Sequence, residues 1–303
     1  MGRLPDFFIL GKAKSGTTAL YAALNAHPAV FMSYPKEPCF FVCEDGPVYY
    51  RGDLHIAGIS DLHEYRGLFA GATTETAVGE ASPQYLFPDL APRAAAAIQR
   101  HVPQARLVAI IRHPAEYVHS YYHFSRSLDS DPAPSVEQAL AEEKAGARAG
   151  MHPGLRLLES SGSYDPLRAY YERFAAGQIR VYLYEEWRQQ PAQVLADLFT
   201  FLGVEPVDPA ARLEQPARIG VTGYARIPYL RWLMGKSHPL MQLVRKFVPA
   251  HWRKPLAQRV RSWNRTAPPP LPSATRQMIV AAMREDILKT QDLIGKDLTH
   301  WLT

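Results

Sequence analysis

Three short runs dominated by apolar residues are each followed by a segment with the spacing of a helix. The runs are FFIL at 7–10, RLVAII at 106–111 and IRVYLY at 179–184. Short apolar runs of this kind are typical of strands buried on both faces of a parallel sheet. Because strands alternate with helices, the pattern predicts an α/β fold in three layers, with a central, mainly parallel sheet and helices on both faces.

Proline and glycine mark the expected ends of the helices that follow these strands. The first strand leads through a glycine-rich turn into a helix over residues 17–25. Pro114 suits the first turn of a helix that continues over 115–127. A third helix is predicted to begin at Pro191 and to end at Gly203, since glycine readily takes the conformation that ends a helix.

The rest of the chain has no internal repeat and no clear linker, so a single domain over 1–303 is predicted. Apolar residues at 279, 283 and 287 predict an amphipathic helix over 275–294 that packs on the sheet. The composition, 47% hydrophobic and 21% charged, is that of a soluble globular protein. Four apolar residues precede the first glycine-rich turn, too few for a secretory signal, and we expect a cytoplasmic protein with free thiols at Cys39 and Cys43.

The net charge of +5 is unevenly distributed. Between Glu214 and Glu285 there are thirteen Lys or Arg residues and no acidic residue, which leaves 21 basic and 29 acidic residues elsewhere. Such asymmetry is typical of a surface that meets an anion, although a solvated basic face has the same composition. The segment 215–284 is therefore interpreted as a lid or an acceptor-binding surface, with contact to a membrane surface left open.

The segment GKAKSGTT at 11–18 carries the clearest chemical signal. Its two glycines have the spacing of the nucleotide-binding pattern GxxxxGK[ST], between a predicted strand and a predicted helix. Backbone N–H groups and a helix N-terminus then converge on one anion. Thr17 stands where a nucleoside-triphosphatase has lysine, while Lys12 and Lys14 come earlier. This disfavours a magnesium–triphosphate site and favours a smaller phosphate or a phosphosulfate.

Two longer segments resemble the sulfotransferase superfamily. KAKSGTTALYAALNAHPAV with the later YPKEPCFF is similar to its 5′-phosphosulfate-binding region, nearest the glycosaminoglycan sulfotransferases, and ARLVAIIRHPAEYVHSYYHFSRS is similar to its 3′-phosphate-binding region. The resemblance implies a P-loop NTPase-like fold. It also implies 3′-phosphoadenosine 5′-phosphosulfate as the co-substrate, without a metal. The implied reaction is in-line transfer of a sulfuryl group to a small-molecule, lipid or carbohydrate acceptor, with a hydroxyl favoured as the accepting group and an amine as the alternative.

The resemblance also assigns donor-binding residues. Lys14 would contact the 5′-phosphate and the bridging oxygen, and Arg112 and Ser120 would grip the 3′-phosphate. Tyr164 sits where relatives approach the adenine, although a core tyrosine has the same pattern, and Arg218 falls where relatives close a basic loop over the 3′-phosphate. The whole implied set is Lys12, Lys14, Ser15, Gly16, Thr17, Thr18, Arg112, Ser120, Tyr164 and Arg218.

In-line transfer needs a base for the acceptor and positive charge at the leaving phosphate. Lys14 would supply that charge, and the resemblance points to Glu37 as the base. Glu80 is a second catalytic candidate, which would orient Lys14 or the acceptor. Ala81 replaces a lysine of the glycosaminoglycan branch, which speaks against a heavily sulfated polysaccharide acceptor. His119, His123 and His152 are interpreted as structural.

Two other classes of function remain open from the sequence. One is a P-loop kinase, which the position of Thr17 disfavours. The other is a non-catalytic module that binds nucleic acid or a membrane surface through the basic segment 215–284, where apolar and basic residues alternate as in an interfacial helix. We expect no nucleic-acid partner, and the oligomeric state cannot be deduced from the sequence.

Overall fold

The computed structural model describes residues 2–206 and 267–303, together with the backbone of 224–225 and 265–266. The strands of this part are β1 Phe7–Gly11, β2 Val30–Met32, β3 Val48–Tyr49, β4 His55–Ile56, β5 Ala77–Ala81, β6 Arg106–Ile111, β7 Ile179–Leu183, β8 Tyr224–Ala225 and β9 Arg265–Thr266. Five of these strands form a parallel sheet in the order β2-β5-β1-β6-β7. The predicted α/β fold is thereby confirmed, with β1 at the centre of the sheet.

The described helices are α1 Thr17–Asn25, α2 Phe40–Cys43, α3 Leu62–Gly67, α4 Ala91–His101, α5 Pro114–Ser127, α6 Val136–Lys144, α7 Leu157–Ser161, α8 Tyr164–Tyr171, α9 Tyr184–Gln189, α10 Pro191–Leu202 and α11 Ser273–Ile294. The bounds of α1, α5 and α10 agree with those predicted from the glycine and proline positions of the sequence. Gly203 ends α10 with φ at 73°. Among these helices, none is long and apolar enough to cross a membrane.

Side chains alternate along β1 and divide the core into two layers. Phe7 and Ile9 join one buried cluster and Phe8 and Leu10 join the other, as expected for a strand covered on both faces. Residues of α1 and α10 complete the first cluster, and residues of α4, α5 and α8 complete the second. The sheet therefore lies between two helical layers, and the carboxyl ends of its parallel strands meet at one edge.

The C-terminal helix α11 packs mainly on α5 and α8 rather than directly on the sheet. Its apolar stripe, Ile279, Met283 and Ile287, is buried in the same core cluster as those two helices. The predicted amphipathic helix is confirmed, but its predicted packing on the sheet is wrong. Helices α5 and α8 cover this face of the sheet, so α11 packs on them instead.

We expect Gly79→Ala to destabilise the fold. In β5 a Cβ at this position would overlap the ring of Phe7 on the neighbouring strand, which is fully buried and cannot move aside. Overpacking of this kind costs about 1–3 kcal/mol, measurable as a lower urea midpoint with an unchanged slope. Gly177→Ala is the matched control, since its Cβ would meet no described atom within 4 Å. Equal midpoints for the two variants would contradict the packing argument.

Candidate active site

The loop between β1 and α1 is built at the carboxyl end of the central strand. The N–H of Lys12 donates to the Ile110 carbonyl at 2.7 Å, and the N–H of Ser15 donates to the Lys12 carbonyl at 3.2 Å. Helix α1 begins at Thr17, and Gly16 before it supplies no side-chain cap, so the first turn keeps backbone donors for a ligand. This is the geometry of an anion cradle at a helix N-terminus.

Gly16 has a steric reason to be glycine. Its φ is 92°, in the left-handed region, and a Cβ would lie 2.9 Å from Cδ1 of Trp187. Trp187 belongs to α9, which directly follows β7. The loop can therefore approach α9 closely only because this position carries no side chain.

Arg112 joins the two phosphate-type segments of the sequence. It follows β6, and its Nη1 donates to the carbonyl of Lys14 at 2.8 Å. The guanidinium lies 4.4 Å from the ring centroid of Tyr184. Its Nε is buried without a hydrogen-bond partner among the described residues. An orphaned guanidinium donor at such a place suits an anionic oxygen, because charged donors bind phosphate oxygens strongly.

Lys14 and Glu37 face the same cleft from different segments. The ammonium of Lys14 lies 4.1 Å from the ring centroid of Phe124, and burial, helped by the neighbouring Arg112, lowers the pKa of Lys14 to about 8. The carboxylate of Glu37 accepts a hydrogen bond from Gln84 at 3.0 Å and pairs with Lys36. The cleft thus contains an amine whose charge depends on pH near 8 and a carboxylate that is accessible to solvent.

The cleft has a volume of about 470 Å³ and brings most of the predicted site residues together. Those that line it are Lys14, Gly16, Thr17, Thr18, Glu37, Arg112 and Ser120. They come from the β1–α1 loop, the segment after β2, the end of β6 and helix α5. Their roles as ligands of the donor stay predictions, but their convergence at one edge of the sheet follows from the fold.

Lys12 and Ser15 lie outside this cleft. The ammonium of Lys12 is buried and reaches the carbonyl of Ser161 at 3.0 Å and that of Gly162. Burial lowers the pKa of Lys12 to about 7, whereas the charge of Asp286 raises it. Lys12 therefore attaches the loop to the turn between α7 and α8, and the hydroxyl of Ser15 is buried behind the loop.

Glu80 and Tyr164 are also placed away from the cleft. Glu80 is fully buried, and both of its carboxylate oxygens accept hydrogen bonds from neighbouring hydroxyl groups. Tyr164 lines a separate depression beside Asp286 and Lys289. Arg218 lies outside the described residues, as does most of the basic segment 215–284. The structure therefore does not bring Glu80 or Tyr164 together with Lys14 and Arg112.

His152 is a lining residue that the sequence analysis had interpreted as structural. Its Nδ1 accepts a hydrogen bond from the N–H of Gly154 at 3.0 Å, so in the neutral ring Nε2 carries the proton. Burial lowers the pKa of His152 to about 4, which keeps the ring neutral. His152 can thus donate a hydrogen bond in the cleft but is a poor base.

An aromatic wall, which consists of Phe87, Tyr121, Phe124 and His152, was missed by the sequence analysis. Each ring of the wall packs against the next. The ring centroid of Phe87 lies 5.5 Å from that of His152 and 6.5 Å from that of Tyr121, and the centroids of Tyr121 and Phe124 are 5.9 Å apart. The ring of Phe124 lies beside the ammonium of Lys14. No local pattern could have found it, because its members come from three segments that only the fold brings together.

Comparison with known proteins gives the family. A model of the sulfotransferase domain matches residues 4–215, more than half of the chain. The chain belongs to the sulfotransferase family. It is therefore an enzyme, and the site at the carboxyl edge of the sheet is the candidate active site of a sulfotransferase.

The curated relatives are similar over the same part of the chain. Bifunctional heparan sulfate N-deacetylase/N-sulfotransferase 1 of Xenopus laevis is 31% identical over 208 residues, which is 67% of this chain and 22% of that protein. The human enzyme 3 of the same name is 30% identical over 209 residues, 67% of this chain and 23% of its own length. The chain therefore spans less than a quarter of these relatives.

A solved structure of similar fold is known. The sulfotransferase from Alicyclobacillus acidocaldarius has a TM-score of 0.73 and 24% sequence identity, and the match covers 99% of this chain and 100% of that one. The α/β architecture described above is thus an architecture of known sulfotransferases.

We expect Gly16→Ala to lower stability more than Gly146→Ala does. Both glycines have φ in the left-handed region, 92° and 75°, but a Cβ at Gly146 would meet no described atom within 4 Å. The steric contact with Trp187 should therefore cost about 1–3 kcal/mol beyond the shared backbone strain. Urea unfolding, followed by tryptophan fluorescence, measures the difference in the free energy of unfolding. Equal losses of stability in the two variants would show that Trp187 can move aside without an energetic cost.

Proposed function

We propose that this sulfotransferase moves a sulfuryl group from 3′-phosphoadenosine 5′-phosphosulfate to a neutral hydroxyl acceptor. The observation that carries the proposal is that two cationic side chains, Lys14 and Arg112, and the carboxylate of Glu37 line one cleft. Family membership and the loop geometry support the donor, and the aromatic wall supports the acceptor class.

The cleft residues fit a donor with two separate phosphate groups. Arg112 has an orphaned Nε, and Ser120 adds a neutral donor from α5 nearby. Lys14, Thr17 and Thr18 supply a second set of donors at the start of α1. The hydrogen bond from Arg112 to the Lys14 carbonyl holds both sets side by side. When bound, the donor supplies the sulfuryl group, and these residues orient it.

The transfer itself requires one bond to form and one to break. The acceptor oxygen bonds to sulfur as the bond from sulfur to the phosphate oxygen breaks, and the acceptor proton passes to Glu37. The side chain of Glu37 is 40% exposed, so its carboxylate is accessible from the cleft. The ammonium of Lys14 stabilises the charge that develops on the leaving phosphate, which is the main electrostatic demand of such a displacement.

The acceptor class follows from the charges and surfaces of the cleft. Among the described lining residues, Lys14 and Arg112 are the only cations, and both are assigned to the donor. The aromatic wall gives the cleft an apolar surface, and no other described lining cation is left to pair with an anionic acceptor. A neutral alcohol or phenol with a flat or apolar face therefore fits best. The names of the curated relatives favour a second candidate, N-sulfation of a carbohydrate amine.

We expect Lys14→Met to abolish transfer of label from radiolabelled donor, while Lys14→Arg keeps part of it. Because the pKa of Lys14 is about 8, its charged fraction falls as pH rises above that value. In the wild type, kcat/KM for the donor should then fall about tenfold per pH unit above pH 8, whereas Lys14→Arg should remove this fall since arginine stays charged. Unchanged activity of Lys14→Met would overturn the mechanism.

An acceptor pair tests the substrate class. The neutral 2-naphthol should show a kcat/KM about fivefold above that of 6-hydroxy-2-naphthoate, since a negative charge without a cationic partner in the cleft costs on the order of 1 kcal/mol. N-desulfated heparan sulfate serves as the polyanionic amine acceptor in the same assay. If label passes to that polymer and not to 2-naphthol, the second candidate replaces the first.

A further inference from the structure

Glu80 has a fully buried carboxylate at the carboxyl end of β5. Three hydroxyl groups of the described residues donate to it. Oε1 accepts from Tyr85 at 2.7 Å and from Tyr65 at 3.1 Å, and Oε2 accepts from Ser82 at 2.9 Å. A buried carboxylate costs several kcal/mol unless its lone pairs are satisfied, so this arrangement stabilises the charged form.

Two of these hydroxyl groups have a second partner in residues 37–41, which comprise the segment that carries Glu37 and the start of α2 and which we call the Glu37 loop. The oxygen of Ser82 accepts the N–H of Cys39 at 3.2 Å, and the oxygen of Tyr85 accepts the N–H of Phe41 at 3.3 Å. Tyr65 has no such link to a loop N–H among the described residues, although its ring stacks on Phe40. A hydroxyl has one proton, so donating it to Glu80 turns the oxygen lone pairs toward these amides.

The loop needs such support because its backbone is strained. Glu37 and Cys39 have φ of 64° and 52°, in the left-handed region that residues with a Cβ rarely adopt. Such a backbone conformation is unfavourable and persists only where surrounding contacts hold it. The N–H of Glu37 itself donates to the Ala81 carbonyl at 3.1 Å. Residues 81–85 therefore hold the loop at three successive points.

We propose that Glu80 is a positioning residue: it sets the direction in which Ser82 and Tyr85 donate their protons, so that both oxygens hold the loop and Glu37 stays in the cleft. We call this arrangement of Glu80, Ser82 and Tyr85 the loop clamp. The catalytic meaning of the clamp rests on the proposed role of Glu37, whereas the clamp as a structural device does not.

Protonation of Glu80 would work against the clamp. Burial raises the pKa of Glu80 to about 7, and the hydrogen bonds from Tyr85, Ser82 and Tyr65 lower it. In the part of the chain that the structure describes, the other titratable groups around it are the buried Cys39 thiol and Tyr170, and burial raises the pKa of both. A protonated Glu80 must donate its proton to one of the hydroxyl oxygens. That new hydrogen bond then competes with a loop N–H for the same oxygen. The clamp should therefore be fully formed above pH 7 and weaken as pH falls below it.

The test compares hydroxyl deletions that break a loop link with one that does not. Ser82→Ala and Tyr85→Phe should each lower kcat about tenfold to a hundredfold with donor KM changed less than about twofold, since misplacing a catalytic group acts on kcat. Tyr65→Phe keeps its ring stack and both loop links, so its kcat should stay within about twofold of the wild type. Equal effects of all three deletions would overturn the proposal.

Two further measurements separate the clamp from the role of Glu37. Amide hydrogen exchange over residues 38–43 should be faster in Ser82→Ala, Tyr85→Phe and Glu80→Gln than in the wild type or Tyr65→Phe. Unchanged exchange would overturn the clamp whatever the activity. In a Glu37→Gln background the two clamp deletions should lower kcat no further, and additive losses would overturn their action through Glu37. If Glu37→Gln alone keeps full activity, the proposed base is wrong, and hydrogen exchange still decides whether the clamp exists.

Discussion

The hydrogen bond from the guanidinium of Arg112 to the carbonyl of Lys14 is the contact on which the site depends. It joins the loop after the central strand to the end of the neighbouring strand β6, and so sets two cationic side chains side by side. Burial lowers the pKa of Lys14, and the charge of Arg112, which itself lies 3.5 Å from the Glu116 carboxylate, lowers it further. An anion bound between the two side chains would favour the charged form of Lys14.

Buried polar groups hold the loops around this pair from behind. Lys12 attaches the donor loop to the turn between α7 and α8, and the N–H groups of Ser163 and Tyr164 in that turn donate to Asp286 of the C-terminal helix. That helix lies beyond the family match at 4–215, yet it supports the β1–α1 loop near the start of the match. On the other side of the cleft, Glu80 supports the loop of Glu37. Each of these polar groups can be buried because it forms hydrogen bonds with its partners. Removing a partner would leave a buried polar group without a hydrogen bond and would lower the stability of the fold.

The sequence predicted the parts of the site whose signals are local. Strand β1, the glycine-rich loop and α1 are contiguous, and their residue types are dictated by backbone geometry, as Gly16 illustrates. Strands β2 and β5 were missed, since VFM and AVGEA are too short or too poor in apolar residues to stand out. Lys12 was grouped with Lys14 because both are lysines of one loop, but the left-handed backbone of Lys14, at φ 62°, turns successive side chains to different sides.

What the sequence determined by itself was the fold class, the place of the anion-binding loop and the match of Arg112 and Ser120 to a phosphate-binding segment. These depend on hydrophobic periodicity and on turn chemistry, which act over a few residues. Only the tertiary structure decided that Lys12, Glu80 and Tyr164 lie outside the cleft and that an aromatic wall lines it. Burial and side-chain partners depend on segments far apart in the chain, and they come together only when the parallel strands align their carboxyl ends.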